Sequence, residues 1–335
     1  MNPSKEWASK ELSVIIVSWN VREFLEPCLE SVFVTSNDIS IEVIVVDNGS
    51  SDGTAEWLEK EYPSVRLVKN LQNLGFPISN NIGISEAQGE YILLLNPDTI
   101  VWPGTFSNCL SVMRRDKKIG VVGCKIHYPD GSIQYECARN FPSLVDFIGG
   151  TFYLHVLFPK SVVFGRRLMG FWDHLSDRDV PCIMGAFMFL RRTALQETGP
   201  LDERFFMYYE DVDVCARMWE KGWRVFYLSS AQITHFSGQS RKKSSKKFDL
   251  LAAEISYTFF LEHRGRLAAI SYRFIVILQA LIRLLLVPLW LLAFGFLIPK
   301  SSCKSSSALN VQLHLAQILW GLGFRSYRDQ VSPEQ

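Results

Sequence analysis

Across the first 130 residues, continuous apolar runs alternate with segments whose apolar residues recur at helical spacing. Leu12–Trp19 is an apolar run broken only by Ser13 and Ser18 and flanked by polar residues, the pattern of a central parallel strand buried on both faces. Val21–Thr35 then reads as a helix, Ile41–Val46 as a second strand and Thr54–Lys60 as a short helix. Strands at Val65–Val68, Tyr91–Leu95 and Ile119–Gly123 alternate with helices at Pro77–Gln88 and Gly104–Lys117. Repeated β-α-β-α order predicts an α/β fold with a doubly wound, mostly parallel sheet.

After residue 128 the pattern changes. Pro129-Asp130-Gly131 is a hairpin-type turn signal, and residues 139–180 are irregular and rich in Pro and Gly. Ile183–Leu190 reads as a strand, Glu210–Lys221 as a helix ended by Gly222, and Arg224–Leu228 and Ala231–His235 as late strands. No internal repeat is visible.

Phe274–Ile298 is a 25-residue apolar stretch with 18 Leu, Ile, Val or Phe residues, interrupted by Gln279, Arg283 and Pro288. Those side chains favour insertion into lipid by roughly 5 to 10 kcal/mol, against a cost of about 3 for the one Arg. Membrane association therefore wins on magnitude. Only Leu284–Ile298 is free of polar side chains, and it is shorter than the roughly 20 residues a span needs, so a kinked span, a re-entrant helix and a helix lying in the interface are all compatible. A buried core helix is the soluble alternative. Arg264, Arg266, Arg273 and Lys300 flank the stretch as interfacial anchors would.

Charge divides the chain in the same way. Residues 1–240 hold 22 basic against 29 acidic side chains, and residues 241–335 hold 13 against 5. Such a basic tail suits an anionic lipid surface or nucleic acid, and the run Arg241–Lys247 taken alone reads equally as a solvated, charged linker. These features predict a globular domain at 1–240, divided near 130 into a nucleotide-binding half (12–130) and an acceptor half (131–240). A basic linker at 241–267 and a membrane-associated helical tail at 268–335 follow. Seven scattered cysteines without a CxxC pair argue against a zinc cluster and for buried thiols in a reducing compartment. Met1–Glu11 lacks the apolar core of a secretory signal, so the first domain is expected to stay in the cytoplasm.

Candidate chemistry sits at the ends of the apolar runs. Asp47-Asn48-Gly49-Ser50-Ser51-Asp52-Gly53 directly follows a buried strand, where ligands of open α/β sheets bind. An aspartate there can accept from a pyrimidine N3–H or a ribose hydroxyl, whereas Asp52 can equally cap the helix from Thr54. The string is neither a GxGxxG fingerprint nor a Walker A loop. Asn96-Pro97-Asp98 follows the fourth strand and can hold a hard divalent ion, although Asx-Pro-Asx is also a common turn. Glu210, Asp211 and Asp213 crowd the start of a helix beside Tyr208 and Tyr209. Acids complement a helix dipole, but three of them suggest a general base whose like-charged neighbours raise its pKa. His235 ends the last strand as a structural or a metal-binding imidazole.

The order of these features closely resembles family 2 glycosyltransferases of the GT-A fold, and within them the rhamnosyltransferase-like group of bacterial surface-polysaccharide synthesis. The matching strings are VIIVSWN, VIVVDNGSSDGT, NLGF, LLLNPDT, GAFMFLRR, FFMYYEDVDVCARMWEKGWRV and THFSG, over about residues 12–240. The resemblance implies that Ser18, Asn20, Asp47, Asn48, Ser50 and Asp52 line the nucleotide pocket, with Asp47 on the base. It places Asn73, Gly75 and Asn96 on the ribose-diphosphate side and leaves room for the sugar at Gly185 and Ala186. Asp98, with His235, would hold Mg2+ or Mn2+. Asp211 would be the base, supported by Glu210 and Asp213, and Arg139 would contact the acceptor or a phosphate. Many family members carry Asp where this chain has Asn96, which weakens ion binding, though the subgroup often shares NPD.

The implied reaction is an inverting sugar transfer by direct displacement. The implied donor is a nucleotide-sugar, dTDP-L-rhamnose first, with UDP- or GDP-sugars as rivals. The implied acceptor is a lipid-diphosphate-linked glycan at the cytoplasmic face of the membrane, with no nucleic acid as partner. A non-catalytic nucleotide-binding membrane scaffold would not need the crowded acids. A sugar nucleotidyltransferase would carry a Gly-rich basic loop where Ser18-Trp19-Asn20-Val21-Arg22 stands.

Overall fold

Apolar runs without alternation make strands buried on both faces, and these build the first part of the chain. In the computed structural model β1 (Leu12–Ser18), α1 (Arg22–Thr35), β2 (Ile41–Asp47), α2 (Thr54–Glu61), β3 (Arg66–Lys69), α3 (Phe76–Glu86) and β4 (Tyr91–Leu95) follow the expected order within one or two residues. Next come β5 (Thr99–Val101), α4 (Thr105–Arg115), β6 (Ile119–His127), β7 (Ala138–Arg139), α5 (Leu144–Thr151), α6 (Leu154–Leu157), β8 (Arg178–Asp179) and β9 (Cys182–Ile183). The remaining elements are β10 (Phe187–Arg191), α7 (Arg192–Thr198), α8 (Glu210–Glu220), β11 (Arg224–His235), α9 (Ser245–Arg264), α10 (Arg266–Phe294) and α11 (Val311–Gly321). The structure describes residues 10–36, 38–205, 208–237, 245–294 and 311–323. Lys300, Cys303 and the first four residues of the basic run Arg241–Lys247 lie outside them, as do Ile298 and most of Met1–Glu11.

Two units emerge from the packing, Met1–Phe141 with Lys160–Lys242, and Pro142–Pro159 with Lys243–Gln335. In the first, the sheet order is β3-β2-β1-β4-β10-β6-β11-β5, with β8 on β11. Strands β1 to β4 are mutually parallel, β10 runs antiparallel between β4 and β6, and β11 is parallel to β6. The C-terminal ends of β1, β2, β4 and β11 and the start of β10 therefore lie at one edge of the sheet. Gly83 lets α3 close onto β1, since a Cβ there would come within 2.5 Å of Ile15 Cγ2.

Two expectations are refined. The strand expected over Ile183–Leu190 is two short strands separated by a turn at Met184, where Phe187 N–H donates to the Met184 carbonyl. The two late strands are one, β11, whose register on β6 shifts between Leu228 and Gln232. The described cysteines, Cys28, Cys109, Cys124, Cys137, Cys182 and Cys215, are free and buried.

In the second unit α10 runs unbroken for 29 residues through Pro288. Ala269, Tyr272 and Val276 of α10 form a core with Ala253, Phe260 and Trp320. Leu144 and Phe147 of α5 pack against it, so the irregular segment after Pro142 is a docked helix. Ser143 and Asp146 start that helix as a capping box. Arg273 is drawn into this unit, its guanidinium 4.3 Å from the Tyr257 ring centre and 5.2 Å from that of Trp320.

Candidate active site

The register of β1 on β2 sets Ser18 beside Asp47, both buried at the strand ends. Ser18 Oγ and Asp47 Oδ1 have no hydrogen-bond partner among the described residues, while Asp47 Oδ2 accepts the Ser50 N–H at 3.4 Å. Burial pushes the Asp47 carboxyl above its ordinary range. Buried polar atoms are normally satisfied, so an orphaned acceptor beside an orphaned hydroxyl at a sheet edge marks a place for a ligand's donors.

The neighbouring polar residues build the walls. Asn20, with φ of +52°, donates its N–H to Ser50 Oγ and accepts the Ser51 N–H through Oδ1. Asp52 lies one residue before the N-cap Gly53 and braces the start of α2, accepting the Thr54 N–H and hydroxyl on Oδ1 and the Arg22 N–H on Oδ2. Burial opposes its ionisation, but these hydrogen bonds outweigh it and hold the carboxyl below its ordinary range. Asn48 faces inward. Its Oδ1 accepts from Asn70, Leu74 N–H and Ser79, and its Nδ2 donates to Asn73 Oδ1 at 2.8 Å. Asn73 Oδ1 also accepts the Gly75 N–H. Asn48 and Asn73 thus hold the loop before α3 against β2, with their polar atoms spent inside the protein.

The second cluster lies where β11 ends. Antiparallel pairing of β5 on β11 sets Thr99 opposite His235, which brings Asp98 alongside the imidazole. His235 Nε2 is 3.3 Å from Asp98 Oδ1 and 3.3 Å from Asn96 Nδ2. Both Asp98 and His235 are buried. No group of three or more His, Cys, Asp or Glu side chains with metal-binding geometry occurs among the described residues. A carboxylate, an imidazole and an amide nevertheless fit a divalent ion of the kind that takes few protein ligands and completes its shell with substrate phosphates. Gln134, unmarked by any motif, is buried against the same imidazole.

The third cluster is the start of α8, entered through Tyr208 and Tyr209 at φ of +71° and +69°. Two successive non-glycine residues in the left-handed region store strain of about 1–3 kcal/mol each, as happens at functional sites. Asp211 Oδ2 accepts from Arg139 Nη2 at 2.5 Å and from the Gly185 N–H at 2.9 Å, and Oδ1 accepts the Val212 N–H. Arg139 is thereby an anchor for Asp211. Burial disfavours the Arg139 charge, but the Asp211 carboxylate together with the smaller contributions of Cys182 and Tyr209 outweighs it. Glu210 is buried with Oε2 unpartnered, and burial together with the neighbouring Asp211 pushes its carboxyl up to about 8. Asp213 turns to Arg217, accepting Nε at 2.9 Å and Nη2 at 2.7 Å on one oxygen. Residues two apart on a helix do not share a face, which separates Asp213 from Asp211.

Backbone contacts join the clusters. The Asn96 N–H donates to the Ala186 carbonyl at 3.1 Å, and the adjacent Gly185 holds Asp211. A Cβ on Gly185 would lie 3.5 Å from Asp211 Cβ, so a side chain there would occupy the space beside the acids. Ser18, Asp47, Asp98, Gly185 and His235 all stand at the same sheet edge, and Asp211 is tied to it through Gly185.

Residues 13–199 match the family model for glycosyl transferase family 2. The chain is 32% identical over 273 residues to an N-acetylglucosaminyl-diphospho-decaprenol L-rhamnosyltransferase of Mycobacterium tuberculosis, covering 76% of this chain and 85% of that protein. It is 25% identical over 244 residues to the rhamnosyltransferase WbbL of Escherichia coli K12, covering 70% and 86%. Among solved structures, the mannosyltransferase PcManGT of Pyrobaculum calidifontis, in complex with GDP-Man and Mn2+, superposes with a TM-score of 0.56 at 16% identity, covering 94% of this chain and 88% of that one. The expected α/β architecture is thus met in GT-A relatives, and the chain belongs to glycosyl transferase family 2 as an inverting glycosyltransferase.

Proposed function

We propose that this enzyme transfers L-rhamnose from dTDP-L-rhamnose to a glycan carried on a polyprenyl diphosphate, in the synthesis of a bacterial cell-surface polysaccharide. What carries the transfer reading is the meeting of three clusters at one sheet edge: the orphaned Ser18–Asp47 pair, the Asp98–His235 pair and the Asp211 carboxylate. The choice of donor and acceptor rests on the two rhamnosyltransferases to which the chain is similar over most of its length.

In this reading Asp47 accepts from the pyrimidine N3–H, and Ser18 supplies a hydroxyl beside it. Asn20, Ser50 and Asp52 shape the pocket wall, and Asn48, Asn73 and Gly75 fix the loop that flanks the ribose and diphosphate. Asp98 and His235, with Asn96 beside them, would hold Mg2+ or Mn2+, which when bound neutralises charge on the diphosphate leaving group. Asp211 removes the proton from the acceptor hydroxyl. A carboxylate offers about four lone-pair sites, and Arg139, Gly185 and Val212 occupy three. The site left on Oδ1 can receive that proton while the other three bonds hold the group in place. The hydroxyl oxygen then forms its bond to the anomeric carbon as the bond to the diphosphate oxygen breaks, which inverts the centre. Glu210 and Asp213 support Asp211 differently, Glu210 as a neutral acid below pH 8 and Asp213 by fixing α8 through Arg217.

The acceptor's lipid is met at the cytoplasmic face of the membrane. Leu267, Ile270, Phe274, Leu278, Leu281 and Leu285 form an exposed apolar stripe along α10, at three- and four-residue spacing. Arg266–Leu285 has a mean hydropathy of 1.7 and is long enough to cross a bilayer by length and composition. A stripe of this kind suits a helix that spans the bilayer or lies in its interface.

The test is transfer from a panel of dTDP-L-rhamnose, UDP-sugars and GDP-sugars to polyprenyl-diphospho-N-acetylglucosamine in detergent, with Mg2+ or Mn2+. Rhamnosylated product from dTDP-L-rhamnose alone is expected, and Asp211→Asn should lower transfer by about 10²–10⁴-fold while dTDP still binds. A preferred UDP- or GDP-sugar overturns the donor, and full activity in Asp211→Asn removes that residue as base.

A further inference from the structure

Gln134 is buried in the segment between β6 and β7, and its amide has both ends engaged by one residue. Its Nε2 lies 2.8 Å from the His235 backbone carbonyl, and its Oε1 lies 3.1 Å from His235 Nδ1. A carbonyl oxygen only accepts, so the NH2 end must face it. The opposite orientation would set oxygen against oxygen. Oε1 therefore faces the ring, and Nδ1 must carry the hydrogen. In a neutral imidazole the lone pair is then on Nε2, the nitrogen 3.3 Å from Asp98 Oδ1. Two electron-pair donors at that distance repel unless a proton or a metal cation sits between them.

We propose that Gln134 is a positioning residue for the divalent ion, locking His235 in the Nδ1–H tautomer so that Nε2 and Asp98 face one cation together. This inference rests on the metal reading of Asp98 and His235 above. Metal-binding imidazoles commonly have their second nitrogen held by such an acceptor, and loss of the partner costs about 10–100-fold in metal affinity. Asn96 agrees with the same tautomer, since its Nδ2 donates toward the Nε2 lone pair. The lock comes from the backbone of the ligand itself: the carbonyl that orients Gln134 belongs to His235, so the position of β11 and the state of its last side chain are set together.

The experiment reads the tautomer directly in the metal-free, full-length protein. The chain is labelled with 15N-histidine, and the His235 signals are identified by their loss in His235→Gln. At a pH where the ring is neutral, Nδ1 should be pyrrole-like and Nε2 pyridine-like. In Gln134→Leu the ring should shift toward the Nε2–H form, and Mn2+ affinity, followed by electron paramagnetic resonance with dTDP present, should fall about 10–100-fold. Metal-free binding of dTDP should be unchanged, which reports a folded protein. An Nε2–H or doubly protonated ring in the wild type overturns the proposal, and that spectrum decides it even if Gln134→Leu does not fold. Unchanged tautomer and Mn2+ affinity in Gln134→Leu also overturn it. If Asp98→Asn and His235→Gln leave Mn2+ affinity unchanged, the metal reading itself fails, and the intact wild-type tautomer distinguishes that failure from the other.

Discussion

Replacing Glu210 by Gln is expected to shift stability in favour of the folded protein as pH rises, with a net gain at high pH. The side chain is 6% exposed and its Oε2 has no partner, so ionising it places an uncompensated charge beside Asp211. Burial and that neighbour raise the carboxyl from 4.5 to about 8. Between those values the folded chain holds a proton that the unfolded chain has released, so stability falls with rising pH across this window. The loss is absent below pH 4.5 and complete above pH 8. At 1.36 kcal/mol per pH unit the displacement from 4.5 to about 8 sets a ceiling near 5 kcal/mol. The amide's NH2 group needs a partner of its own, which costs about 1–3 kcal/mol when unmet and leaves a net gain of roughly 2–4 at high pH. Urea unfolding of both proteins in detergent, at about pH 5 and about pH 9, measures this, because the titrating groups that do not interact with Glu210 cancel in the difference. A difference between variant and wild type that is the same at both pH values, or larger at the lower one, refutes the reasoning.

Two further outcomes test the nucleotide end. Asp47→Asn replaces the orphaned acceptor by an amide that cannot accept equally on both sides, and should weaken dTDP binding by tenfold or more in calorimetry, since a hydrogen bond to a charged group is worth about 1.5–3 kcal/mol. Wild-type affinity in that variant would remove Asp47 from the base. Gly49→Ala should lower unfolding stability by about 1–3 kcal/mol, because φ is +77° and the new Cβ would stand 2.8 Å from Gln72 Cα. An unchanged melting temperature would show that the loop yields.

The geometry of the acid cluster recasts what three neighbouring carboxyls mean. A helix start rich in acids suggests several interchangeable bases, yet each of these has a separate place. Arg139 and the Gly185 N–H hold Asp211, burial keeps Glu210 protonated to about pH 8, and Arg217 takes Asp213. Strain at Tyr208 and Tyr209 sits directly before them, where the backbone must turn into the helix with Glu210 and Asp211 already directed inward.

Much of this was legible in the residue order. Short apolar runs bounded by polar residues and alternating with helical patterns fit strands covered on both sides, so β1, β2 and β4 and the helices between them followed from the pattern, and polar residues directly after such runs stand at a sheet edge. That located Ser18, Asp47 and Asp98. The i,i+4 spacing of Asp213 and Arg217, and the Ser143/Asp146 capping box of α5, were local signals that could also have been read. Periodicity reports which face of an element is buried, but not which distant element covers it. Only the tertiary structure decided that β10 enters antiparallel beside β4, which carries Gly185 and Ala186 to Asn96 and Asp211. It also set Arg139 on Asp211, turned Asn48 inward, and brought Gln134 to His235 across 101 positions. Those pairings depend on long-range hydrogen bonds whose partners share no spacing in the chain, and the chemistry of the site rests on them.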